Sequence, residues 1–313
     1  MTRTLIVTAV NAEADAVCAG LMGSWSRGRS RTPSGPGGLV SPDWDRQLLT
    51  TSTLGPYVGR RRGPVTVLAA GPAGPASAAG TAVALAVASA AGEPFGLVIS
   101  MGIAGGFRGW AEVGDLVIAD RMVAADLGAE SGLDEPAEPA APVRINEMDR
   151  NLGFHPAGAP PYQPGPPPGP VAAGAFLTMD DLGLGSSTLQ PDADLVRRLT
   201  TVLDITGRRI VSGTVLTVST VTGTERRAAA LTARLDPVAE AMEGYAVGIA
   251  AGAFGVPVTE IRAVSNPVGR RDRAAWNTQA ALGSLRTAAA ALVAHPEGLV
   301  PAPRAEKESG PTG

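Results

Sequence analysis

Apolar positions recur along the chain in two alternating rhythms. Short runs rich in β-branched residues at 4–10, 65–69, 96–101, 115–119, 209–218 and 259–264 predict strands. Several of these runs are apolar throughout, as strands of a sheet covered on both faces are. Between them, longer Ala-rich segments at 12–22, 75–91, 190–203, 224–235, 242–254 and 273–294 predict helices, with Gly255 ahead of Pro257 as a stop signal. Strand and helix in alternation predict a layered α/β domain around a mixed sheet.

Two stretches break the alternation. Residues 24–63 are basic, Gly/Pro/Ser-rich and weakly periodic, and residues 134–170 are dominated by Pro and Ala, so both are expected as flexible surface insertions. The tail 295–313 has the same character, which leaves one domain over 1–294. With 44% of 313 residues hydrophobic, the chain can bury a sizeable core despite 40 Gly and 27 Pro. Twenty-six basic residues against 29 acidic ones, without a long single-sign run, leave no electrostatic footprint for nucleic acid. Cys18 is the only cysteine, and His155 and His295 are the only histidines, so no internal disulfide or Cys/His metal site is available and neither metal nor cofactor is expected. The apolar N-terminus 1–10 lacks a basic leader and reads as a first strand. The stretch 76–92 reads as too short and too mildly hydrophobic for a bilayer of about 30 Å, so a cytoplasmic protein without a membrane partner is expected.

Four segments could carry chemistry. Residues 101–107 place Gly102, Gly105 and Gly106 after an apolar strand, either as a tight turn or as backbone that a small molecule can approach closely. Glu13 stands where the first strand turns into a helix, where a carboxylate can complement the helix dipole or face a ligand. Glu243 reads as a lone carboxylate within an apolar helix continuing to Phe254, where it needs a hydrogen-bonding partner such as a sugar diol. Asn266 is held extended by Pro267 at the end of the last strand, where open α/β folds place ligand groups; an ordinary Asn-Pro turn is the alternative.

Taken together, the segments 5–17 (LIVTAVNAEADAV), 99–107 (ISMGIAGGF) with 113–120 (VGDLVIAD), 218–223 (VSTVTG), 241–246 (AMEGYA) and 261–272 (IRAVSNPVGRRD) resemble the purine nucleoside phosphorylase and nucleosidase superfamily. Within it, the sequence is similar to the methylthioadenosine/S-adenosylhomocysteine nucleosidases and more similar to the futalosine hydrolases. The resemblance implies a three-layer α/β/α fold with a central mixed, partly closed sheet, and a homo-oligomer, dimer or larger, that binds a small nucleoside. It implies that Glu13 activates the attacking water, that Met242 and Glu243 hold the ribose, and that Asn266 handles N7 and the 6-substituent of the base. Backbone at Ile103, Ala104 and Gly105 and around Leu216, Val218 and Ser219 is expected to meet the nucleoside, with Trp276 lining it.

Departures from the adenine-specific pattern narrow the expectation. Relatives that release adenine carry an aspartate where this chain has Asn266; an amide can donate to a 6-oxo group and accept from a protonated N7, which favours hypoxanthine. The stretches AVNAEAD and SMGIAGG hold no arginine where phosphorylases bind phosphate, which favours hydrolysis. A futalosine-type substrate adds a 5′ carboxylate, for which Arg270, Arg271, Arg273 and Arg108 are the candidates, unless they only solvate a loop. The expected activity is hydrolysis of futalosine to hypoxanthine and dehypoxanthine futalosine in menaquinone biosynthesis. Its rivals are a methylthioadenosine-type nucleosidase and a non-catalytic nucleoside-binding module, the latter disfavoured because Glu13 and Glu243 are both present.

Overall fold

The computed structural model describes residues 2–23, 48–130 and 176–299. The predicted insertion 134–170, residues 24–47 of the other insertion and residues 300–313 of the tail lie outside them. The strands are β1 (Thr4–Thr8), β2 (Thr50–Leu54), β3 (Tyr57–Arg62), β4 (Val65–Ala69), β5 (Leu97–Gly106), β6 (Leu116–Ala124), β7 (Gly128–Glu130), β8 (Phe176–Thr178), β9 (Thr188–Leu189), β10 (Ile210–Thr217), β11 (Pro237–Ala241) and β12 (Val258–Pro267). The helices are α1 (Asn11–Met22), α2 (Ala73–Ala90), α3 (Ala193–Asp204), α4 (Glu225–Leu235), α5 (Gly244–Ala253) and α6 (Thr278–Ala294).

Nine strands run in the order β11-β10-β6-β12-β5-β1-β4-β3-β2, and β9 adds to β6. An additional antiparallel pairing of β11 with β5 closes β5, β12, β6, β10 and β11 into a ring, while β1, β4, β3 and β2 extend from it as an open wing. The sheet is therefore mixed and partly closed, as expected. β5 pairs in parallel with β1 and β12, and every residue of β1 is buried, as the continuous apolar runs of strands covered on both faces require.

One layer packs α1, α3 and α6 on the sheet through Val17, Leu21, Leu199 and Leu285 against Ile6, Ile99 and Ile118. The opposite layer packs α2 and α5 through Leu85, Ala88, Val247 and Ala251 against Leu5, Leu68 and Val98. By length and composition α2 could cross a membrane, contrary to the sequence-based reading of 76–92. In the fold its inward side, including Ser77, Gly80, Thr81 and Ala84, is buried. Helix starts follow their capping chemistry: Asp192, Thr224 and Asn277 each accept a backbone N–H three residues on.

Three expectations are corrected. Residues 50–62, read as part of a flexible insertion, form the β2–β3 hairpin on the sheet edge, in which Leu54, Gly59 and Arg62 turn inward while Thr50, Thr51, Thr53 and Val58 face outward. The glycines of 101–107 do not follow a strand but belong to β5 up to Gly106. The segment 273–294 is split into a short 3-10 turn at Arg273–Ala275 and α6, which starts afresh at its Asn277 cap.

Gly20 of α1 lies against α6: a Cβ there would come within 2.2 Å of the Arg286 carbonyl oxygen and 2.7 Å of the Ala289 Cβ. Replacing glycine by alanine in a helix normally stabilises by about 1 kcal/mol. Here Gly20→Ala is expected to destabilise by roughly 1–3 kcal/mol through overpacking, read as a lower urea midpoint; a midpoint equal to or above the parent's contradicts the close crossing.

Candidate active site

The site is built where β5 and β12 run side by side at the centre of the sheet. Gly102 of β5 is the register partner of Arg262 of β12. Arg262 is only 1% exposed, and its guanidinium is used on every side: Nε donates to Glu260 at 2.7 Å, Nη2 to the Ser100 hydroxyl at 3.0 Å, and Nη1 meets Glu243 at 3.2 Å and the Ile103 carbonyl at 3.4 Å. Glu260 and Arg262 are two apart on one strand, so both project to the same face. A buried arginine survives only with its charge paired and its donors satisfied.

Absent side chains make the room. A Cβ on Gly102 would lie 2.6 Å from Arg262 Nη1 and 2.7 Å from Glu13 Oε1, and one on Gly244 would lie 2.0 Å from Glu260 Oε2. Gly244 opens α5, so Glu260 also sits at the positive end of that helix. Its Oε2 is nevertheless buried without a hydrogen-bond partner.

Glu13, 3% exposed at the start of α1, accepts from Ala9 N–H at 2.9 Å, Val10 N–H at 3.2 Å and Ile103 N–H at 2.9 Å. Glu243, 7% exposed, accepts from Ala73 N–H at 3.1 Å and Met242 N–H at 3.3 Å. The sequence suggested Glu243 inside a helix; it is instead the second of two residues between β11 and α5, where the chain turns and its backbone is still non-helical. Burial pushes the Glu13 carboxyl above its ordinary value, Ile103 N–H and Arg262 pull it back, and Glu243 adds to the rise. Burial likewise raises Glu260 against the pull of Arg262. Burial alone would lower Arg262, but Glu260, Glu243 and Glu13 together hold it firmly protonated.

Beside this cluster lies a cavity of about 80 Å³ lined by Gly105, Val221, Thr222, Glu240, Asn266, Pro267, Val268, Gly269, Arg271 and Trp276. Asn266 is half-buried on its wall, its Oδ1 accepting from the Ser265 hydroxyl at 2.8 Å and its Nδ2 donating to the Pro267 carbonyl at 3.1 Å, which leaves one free hydrogen-bonding position on each atom. Trp276, 38% exposed, covers one side with the Arg271 guanidinium 5.2 Å from its ring centre. Ile103, which anchors Glu13, and Gly105, which floors the cavity, are two residues apart on β5, a separation of about 7 Å.

The structure thus gathers Glu13, Met242, Glu243 and Ile103 around Arg262, and Gly105, Asn266 and Trp276 around the adjoining cavity. The carboxylates and Asn266 do not line one common cavity, because Glu13 and Glu243 turn onto Arg262 and backbone N–H groups. Ala104 is buried, its carbonyl 3.2 Å from the Ser265 hydroxyl, whose single hydrogen it shares with Asn266 Oδ1. Leu216 and Val218 are buried in an apolar cluster that touches the cavity through Val268, and Ser219 donates its N–H to Asp126; the chain itself reaches the cavity two and three residues later, at Val221 and Thr222. Arg270 is exposed with its N–H on Glu225, and of the four candidate arginines it is Arg271 that lines the cavity. Arg262, Glu260 and Glu240 went unread. The signal for the first two was present as an acidic and a basic residue alternating within an otherwise apolar strand.

A family model described as the phosphorylase superfamily matches residues 50–295. The futalosine hydrolase of Streptomyces coelicolor is 44% identical over 228 residues, covering 72% of this chain and 77% of that protein. The futalosine hydrolase of Acidothermus cellulolyticus is 36% identical over 291 residues, covering 93% and 90%. Among solved structures, the native futalosine hydrolase of Helicobacter pylori aligns over 95% of this chain and 97% of that one, with a TM-score of 0.60 at 16% identity. A Helicobacter pylori methylthioadenosine nucleosidase mutant holding 5′-methylthioadenosine aligns over 95% and 99%, with the same score at 15% identity. At such identities the structural likeness is one of fold.

Arg262→Met should cost about 3–5 kcal/mol, because it strands buried carboxylates. The loss has a predictable sign with pH. Without the cation the folded-state pKa values of Glu13 and Glu260, already raised by burial, rise further above the unfolded ones, so stability held below the ordinary carboxylate range is lost as pH climbs through the folded values. Urea unfolding should show a larger deficit at about pH 8 than at about pH 5. An equal deficit at both would refute the ion cluster.

Proposed function

Because the chain belongs to the futalosine hydrolase family of the phosphorylase superfamily, we propose that it hydrolyses the N-glycosidic bond of futalosine to hypoxanthine and dehypoxanthine futalosine. The observation that carries this reading is an amide, Asn266, on the wall of a small cavity whose Gly105 lies two strand residues from Ile103, the residue whose N–H holds buried Glu13. That offset matches a nucleoside whose base fills the cavity and whose sugar lies over the carboxylates.

Each residue then has a task. Glu243 accepts from the ribose hydroxyls and sets negative charge beside the oxocarbenium-like centre that develops as the bond breaks. Its own orientation is kept by Arg262 and the Ala73 N–H. Glu13 takes a proton from water, whose oxygen bonds to C1′; a raised pKa makes its carboxylate a better base. The electron pair of the broken bond goes to the purine, whose N7 takes a proton from solvent water and donates that N7–H to the Asn266 carbonyl while the Asn266 amide donates to O6; Glu13 returns its proton to solvent. Arg262 is consumed by its protein partners and is not available to bind phosphate, which supports hydrolysis. Arg271, on the cavity rim, takes the carboxylate of the 5′ substituent.

The reaction belongs in this reading to menaquinone biosynthesis in the cytoplasm, with residues 1–294 as one nucleosidase domain. The protein acts as a homo-oligomer; exposed Ile249 and Phe254 on and just after α5 support an apolar contact there.

The test is to incubate the purified protein with futalosine, inosine and methylthioadenosine in phosphate-free buffer and identify the free base. Hypoxanthine from futalosine, independent of phosphate, is expected, and Asn266→Asp should move the preference toward 6-amino nucleosides by roughly 5- to 150-fold. Adenine release only, or an absolute need for phosphate, overturns the reading.

A further inference from the structure

One charged group in the cavity wall has no task in this reaction. Glu240, 5% exposed, lies on β11 directly across from Gly105, and Asn266 lies on β12 across from the same Gly105 on its other side. The three residues form one row across the sheet, glutamate, glycine and asparagine, with neighbouring strands about 4.8 Å apart. Both outer side chains line the same cavity. A flat bicyclic base can lie over the residue without a side chain, and its edges then meet a carboxylate on one side and an amide on the other.

The carboxylate is fixed in place. Thr222 donates its backbone N–H to Glu240 Oε1 at 2.7 Å and its hydroxyl to Oε2. Thr222 is itself part of the cavity wall, so its N–H, a donor that could otherwise meet a ring nitrogen, is already taken. The wall offers an acceptor at this point. A 6-oxopurine carries a hydrogen on N1 and suits an acceptor, whereas a 6-aminopurine presents a bare N1 lone pair and does not.

We propose that Glu240 is a second specificity residue, accepting the N1–H of a 6-oxopurine while Asn266 engages O6 and N7. The assignment rests on the reading that the substrate is a 6-oxopurine nucleoside. It adds a consequence for rate: as N7 becomes protonated the base grows more positive, and a carboxylate on N1–H stabilises that charge.

The test uses the full chain and compares kcat/KM for futalosine and for its 6-amino analogue in the parent, Glu240→Ala and Glu240→Gln, with thermal midpoints to confirm folding. Glu240→Ala should lose roughly tenfold or more on futalosine while changing little on the 6-amino analogue. Glu240→Gln keeps the size and the Thr222 contacts but can turn an NH₂ toward N1, so it should raise the 6-amino to 6-oxo ratio by about tenfold or more. If both folded variants keep the parent's ratio within about twofold, Glu240 does not read the base, although futalosine cleavage stands. If the parent releases no hypoxanthine from futalosine, the underlying reading fails, and this assignment with it.

Discussion

A single buried cation organises the centre of this protein. Arg262 is surrounded by the carboxylates of Glu260, Glu243 and Glu13, each from a different part of the chain, and it can be there only because Gly102 and Gly244 leave space. Charge so deep in a sheet is costly unless fully paired. The same pairing forces β1–α1, β11–α5 and β12 into one fixed relation, so the requirement that stabilises the centre also sets the spacing of Glu13 and Glu243.

The ring formed by β5, β12, β6, β10 and β11 supplies the second half of the site. Closing β11 onto β5 puts Glu240 and Asn266 on either side of Gly105, and the chain after β10 brings Val221 and Thr222 over the top. Along one strand, Gly102 and Ile103 adjoin the carboxylate cluster and Gly105 lines the cavity. Burial raises the Glu13 carboxyl, which in the proposed function favours proton abstraction, and the proposed reading sets Asn266 and Glu240 against the two edges of a 6-oxopurine.

Much of this was legible beforehand. The apolar runs announced β1, β4, β5 and β12, because strands buried on both faces leave an unbroken hydrophobic signature. Glu13 and Asn266 could be picked out as polar residues at element ends beside apolar runs, and Glu243 as a lone carboxylate in an apolar segment read as helix. The β2–β3 hairpin could not, since Thr, Ser and Arg at a sheet edge look like loop composition. Glu240 and Arg262 were hidden for a different reason: a charge alternating with apolar residues in a strand reads as solvent-facing, and only the closure of the ring turns those faces inward. The segment expected to meet the nucleoside, Leu216 to Ser219, lies just ahead of the cavity-lining Val221 and Thr222, because the length of the turn after β10 is decided by where β11 returns, through the Val218 N–H to Ala241 carbonyl bond.

The central claim is that the ion cluster delivers water, and no other nucleophile, to the sugar carbon. It is tested most directly by letting the protein cleave futalosine in ¹⁸O-labelled water and weighing both products by mass spectrometry. The account predicts one ¹⁸O in the sugar product and none in hypoxanthine. A sugar product without the label, or one carrying phosphate, would contradict it.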